Sequence, residues 1–148
     1  MKRDYVVDAS VGIKLFLHEE WTDVVERVFD GLSEDVPAQL YVPELFYIEC
    51  ANILWKYVRR FAYPVQDAQT DLQKLRQLAL EVVATDSVLV NAFDLAVKHG
   101  LTVYDACYVA MSHQLQLPLL TADERLVNLM KGKPFDIRWI GDLEQPGS

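Results

Sequence analysis

Residues 100–126 read "GLTVYDACYVAMSHQLQLPLLTADERL", and they hold a helix, a strand and the start of another helix in unbroken succession. Gly100 ends a preceding helix whose last turn carries Lys98 and His99, the cationic close that a helix C-terminus favours. Residues 102–115 then read as a helix, and residues 117–120, "LPLL", as a short apolar strand with Pro118 near its start. Residues 123–130 read as the next helix. Asp105 is the lone charge among Tyr104, Ala106, Cys107, Tyr108 and Val109, and Asp123 stands just past the strand. An acid in such surroundings is costly to desolvate unless something pairs with it.

The same alternation runs outward through the chain. Residues 5–8 are a first strand, ending in Asp8, and residues 10–17 and 21–32 are helices. In the second of these Trp21, Val24, Val25, Val28, Phe29 and Leu32 recur at helical spacing. After the polar loop "SEDVPAQ", residues 40–42 form a second strand, with Pro43 suited to a helix entry. Residues 45–60 are the longest helix, apolar nearly all round, as expected of a buried one. Residues 65–80 follow as a helix with Leu72, Leu75 and Leu78 inward, then residues 81–84 as a strand and 87–99 as a helix. "DIRWI", residues 136–140, is the last strand. Short apolar strands alternating with helices predict an α/β fold, layered around a mostly parallel sheet. No composition break marks a second domain, so residues 1–142 are expected to form one domain and residues 143–148 a short C-terminal tail.

Composition narrows the function. With 148 residues, 51% hydrophobic and 24% charged, the chain has the balance of an ordinary globular domain. No apolar run approaches a membrane span, and residues 1–3 lead into an acid rather than a signal peptide, so a cytoplasmic location without membrane contact is expected. Cys50 and Cys107 sit in apolar helical patterns and read as reduced core thiols. His18, His99 and His113 lack ligand spacing, which leaves a zinc site without support. The net charge of −8 argues against a generic nucleic-acid coat, but not against an enzyme whose acids hold metal ions.

Four acids occupy equivalent places. Asp8, Glu49 and Asp123 lie just after strands, and Asp105 joins them at a helix start. In a parallel sheet such positions gather at one rim, where ligands bind. Each has a purely structural alternative. Asp8 or Asp123 can serve a helix N-terminus, and Thr121 with Glu124 has capping-box spacing. Glu49, Asn52, Lys56 and Arg59 or Arg60 share a helix face that can simply be solvated. Asp105 resists such a reading best, because its neighbours imply burial. Together, carboxylates in one pocket repel, and a divalent cation removes the conflict. Oxygen-only donors suit Mg²⁺ or Mn²⁺, which points to hydrolysis or transfer at a phosphate. No Gly-rich phosphate loop and no Ser-His-Asp or Cys-His set competes.

Taken in order, "VVDASV", "VPELFYIECANIL", residues 100–126 and "IRWI" resemble the PIN-domain ribonucleases, most closely the VapC-type toxins of prokaryotic toxin–antitoxin pairs. The resemblance runs along almost the whole chain. It implies a three-layer α/β/α sandwich and a metal-dependent endoribonuclease using Mg²⁺ or Mn²⁺. Its four acids fall on Asp8, Glu49, Asp105 and Asp123 as catalytic and metal-holding residues, with Ser10, Asn52 and Thr121 as supporting polar positions. Lys14, Lys56, Arg59 and Arg60 are candidate contacts to the RNA backbone. Tyr47, Tyr104 and Tyr108 have helical spacing and are assigned to the core rather than the site. The family also implies a cognate antitoxin and a homodimer, for which the helices at residues 21–32 and 45–60 offer apolar surface. Two other readings remain. A non-catalytic PIN-like module that binds RNA or protein would keep the fold without the activity. An aspartyl phosphotransferase would need "DxD" at the first strand and a later lysine, where this chain has "DAS" and "LLTADE".

Overall fold

The computed structural model describes residues 4–144. Five strands, β1 (Tyr5–Val7), β2 (Leu40–Pro43), β3 (Glu81–Val83), β4 (Leu119–Thr121) and β5 (Ile137–Trp139), form one sheet in the order β3-β2-β1-β4-β5. All four pairings are parallel; Val6, for example, lies opposite Tyr41 on one side and Leu119 on the other. The helices are α1 (Ala9–Gly12), α2 (Thr22–Asp30), α3 (Leu45–Phe61), α4 (Val65–Gln77), α5 (Leu89–His99), α6 (Val103–Leu115) and α7 (Glu124–Leu129). The result is a three-layer α/β/α sandwich around a wholly parallel sheet.

Burial explains the strand order. Tyr5, Val6 and Val7 have no polar face, so β1 is stable only at the centre, covered on both sides. The outer strands differ from the uniformly buried ones expected: Glu81 and Val82 of β3 and Arg138 of β5 are exposed. From β1 the chain steps outward to β2 and β3, then returns to β4 on the other side of β1. That reversal opens a crevice past the carboxyl ends of β1 and β4.

The central helix is α6, not α3. Residues 106–112 of α6 are all buried, and the helix lies against β1, β2 and β4 with α5 packed on it. In α3, by contrast, only Phe46, Cys50 and Leu54 are buried, a stripe at four-residue spacing, while Ile48, Trp55 and Phe61 are exposed. An apolar circumference therefore marks α3 as an outer helix with a surface to cover. Its inner stripe meets α1 closely: a Cβ on Gly12 would lie 2.5 Å from the end of the buried Phe46 ring.

Helix ends follow local chemistry. Gly100, at φ 72°, closes α5 in the left-handed conformation that glycine favours. Thr102 caps α6 by accepting the Asp105 N–H. The expected capping box at Thr121 and Glu124 does not form. Asp123 is the N-cap of α7, and Thr121, the last residue of β4, accepts the Asp123 N–H at 3.1 Å. Residues 140–144 form a 3₁₀ turn, so the start of the expected tail is structured, and residues 145–148 lie outside the described residues.

Candidate active site

Asp8 stands at the crevice because β1 ends one residue before it. Its N–H donates to the Leu120 carbonyl at 3.3 Å, which continues the β1–β4 pairing past the strand and fixes the backbone. The residue is only 7% exposed. Oδ1 accepts from Ser10 Oγ at 2.5 Å and from the Val11 N–H at 3.3 Å. Asp8 is therefore both the N-cap of α1 and a buried acid, and the two readings do not compete. Ser10 Oγ accepts the Ala122 N–H at 3.0 Å and lies 3.5 Å from Thr121 Oγ1. One hydroxyl thus ties the end of β1 to the end of β4.

Glu49, in the second turn of α3, accepts a 2.5 Å hydrogen bond on Oε1 from the buried Tyr108 hydroxyl. Tyr108 belongs to the core, as its spacing predicts, and it also orients a site acid, which the core reading alone does not include. The signal lies in its position, since three residues after Asp105 is the same face of α6. Asp123 Oδ1 accepts the N–H groups of Arg125 and Leu126 at 3.0 and 3.4 Å. The Arg125 guanidinium lies 3.7 Å from Asp105 Oδ2 and 3.8 Å from Asp123 Oδ2. Sequence reasoning misses Arg125; its place two residues past Asp123 carries no chemistry until Asp105 arrives from α6.

The electrostatics join the four acids. Burial, opposed by the Ser10 bond and reinforced by the Asp105 charge, pushes the Asp8 carboxyl up to about 6. Burial and the Asp123 charge raise Asp105, and burial with the Asp105 charge raises Glu49 against the lowering effect of the Tyr108 bond. Every donor is a carboxylate or hydroxyl oxygen, the set a hard divalent cation takes. Among the described residues no three His, Cys, Asp or Glu side chains already stand in metal-holding proximity. The donor chemistry, carboxylate and hydroxyl oxygens only, fits such a cation.

Of the expected supporting residues, Ser10 bonds Asp8 and Thr121 accepts the Asp123 N–H. Asn52 is exposed one turn beyond Glu49 on α3. Lys14 is withdrawn from the RNA contacts: it is buried and paired with Glu19 at 2.9 Å, and Glu19 also accepts the Tyr57 hydroxyl. Lys56 is exposed two turns past Glu49, roughly 10 Å along the helix. Arg59 and Arg60 are exposed a further turn on, with Arg59 over the Trp55 ring at 5.8 Å.

The chain matches the family model described as PIN domain over residues 5–131. It is similar to Ribonuclease VapC3 of Pyrobaculum aerophilum, with 40% identity over 123 residues, covering 82% of this chain and 90% of the relative. Its structure is similar to the crystal structure of PAE2754 from Pyrobaculum aerophilum, with a TM-score of 0.69, 27% identity, and 97% and 95% of the two chains covered. A toxin-antitoxin complex from Klebsiella pneumoniae shares the fold at a TM-score of 0.64 and 15% identity, over 92% and 97% of the chains.

Proposed function

The chain belongs to the PIN domain family, and on that premise we propose that it is a metal-dependent endoribonuclease, the toxin of a toxin–antitoxin pair acting in the cytoplasm. One observation supports the reading: the Asp105 charge acts on both Asp8 and Glu49 and feels that of Asp123, while Arg125 stands 3.7 Å from Asp105 and 3.8 Å from Asp123. The name of the Pyrobaculum relative supports the ribonuclease activity, and the fold shared with the Klebsiella complex supports an antitoxin partner. Among the described residues no helix is long and apolar enough to cross a membrane.

Asp8, Asp105 and Asp123 would hold Mg²⁺ or Mn²⁺, which supplies Lewis acidity at the scissile phosphate. Ser10 and the Val11 N–H occupy Asp8 Oδ1, and the Thr121 hydroxyl also bonds the carboxylate, so Asp8 is oriented before a cation would arrive. Tyr108 does the same for Glu49, whose second oxygen is left to orient the attacking water and accept its proton. Thr121 fixes the Asp123 backbone, and Asp123 fixes α7, so these carboxylates are placed before substrate arrives. A homodimer is also proposed, supported by the exposed apolar residues of α3 and by Leu89, Val90, Phe93 and Val97 of α5. The apolar stripe of α2 contributes less than expected, since Val24, Val25 and Phe29 face the core.

The test is RNA cleavage with Mg²⁺ or Mn²⁺, with chelator, and with Asp8→Asn. Chelator is expected to abolish cleavage, and the variant to lose about 100-fold or more in rate. A circular RNA substrate should be opened, since an endonuclease needs no end. Full activity of Asp8→Asn would overturn the mechanism, and no cleavage of any RNA would favour the binding module.

A further inference from the structure

We propose that Arg125 is a phosphate-binding side chain that exchanges the Asp105 and Asp123 carboxylates for the RNA backbone when a divalent cation enters the site. The inference rests on the nuclease reading above. Its basis is a contrast between a fixed backbone and a loose head group. The Arg125 N–H is held by Asp123 Oδ1 at 3.0 Å. Its guanidinium stands 3.7 and 3.8 Å from the two carboxylates, outside N–H···O range, with the side chain 72% exposed. Exposed pairs of this kind are weak, because solvent screens them and ordering two long side chains opposes them. The guanidinium thus balances the charge of Asp105 and Asp123 without being locked to either.

A cation held by those carboxylates takes the guanidinium's partners and repels it. Most of the side chain is in solvent, so few packing contacts oppose its swing. The nearest anion in a loaded complex is then the substrate phosphodiester, whose oxygens match the guanidinium fork. Two other cations are already committed: Lys14 to Glu19, and Arg138 to both oxygens of Asp136 at 3.0 Å.

The full chain and its Arg125→Gln and Arg125→Lys variants separate the possibilities. Calorimetric titration with Mn²⁺ alone should show Arg125→Gln binding about fivefold more tightly, since a competing charge has gone. Anisotropy with a single-stranded RNA oligonucleotide in Ca²⁺, its integrity checked by gel, should show Arg125→Gln binding about tenfold more weakly. Its slope of log affinity against log salt should be shallower by about 0.7, the share of a single neutralised phosphate, with the lysine variant between. If the unmutated chain binds both Mn²⁺ and RNA while Arg125→Gln matches it in either Mn²⁺ affinity or RNA salt slope, the inference alone is overturned. If the unmutated chain fails to bind Mn²⁺ or fails to bind RNA, the nuclease reading falls and the inference with it.

Discussion

Asp8 carries opposing demands, and its protonation records them. An ordinary carboxyl in an unfolded chain titrates near 4, whereas burial raises Asp8 to about 6. The folded protein therefore holds an extra proton between those values. The stability linked to Asp8 is fully present below about pH 4 and is lost as pH rises through about 6. Glu49 and Asp105 are raised as well and act in the same sense. With chelator present, Asp8→Asn should be more stable than the unmutated chain at pH 7.5, by about 1–3 kcal/mol. At pH 4.5 most of that difference should vanish. Urea unfolding at the two pH values measures it, and equal stabilities at pH 7.5 would show that the buried charge costs nothing. The site acid is thus expected to weaken the metal-free fold, and residues 5–10 alone hint at this, as an apolar run ending in a charge.

At the scale of elements, the passages legible in sequence are those with their own punctuation. Gly100 ends α5 where the glycine stands, and α6 begins after Thr102. The start of α7 is harder, because Thr121 and Asp123 both suit a cap, and the choice depends on β4 holding Thr121 inside the sheet. The burial of α3 is misread for a related reason: periodicity names an apolar face but not what covers it. Gly12 shows the same limit. Nothing in "ASVG" reveals that α1 passes against the fully buried Phe46 ring, which a Cβ on Gly12 would have to displace. Gly12→Ala should cost about 1–3 kcal/mol despite the better helix propensity of alanine. Thermal unfolding checks this, and a neutral or stabilising effect would mean that the ring has room to shift.

Across the whole molecule, the exposed apolar residues set the outstanding question of assembly. Val90, Phe93 and Val97 fall on one face of α5, and Ile48, Trp55 and Phe61 lie on α3. If the α5 face joins two copies, the protein should sediment as a dimer at tens of micromolar, and Phe93→Asp should shift it to a monomer without lowering its unfolding temperature. A monomeric unmutated chain would leave both faces to another partner. The sequence by itself determined the alternation of strands and helices and the parallel sheet, and it singled out the four acids as candidates, because periodicity, helix stops and the cost of a lone charge in apolar surroundings are local properties. Only the tertiary structure decided that α6 rather than α3 is the central helix, that Tyr108 holds Glu49, that Lys14 is spent on Glu19, and that Arg125 faces Asp105. Each of those depends on side chains from distant segments meeting across the sheet, and a meeting of residues far apart in the chain leaves no period or spacing to read.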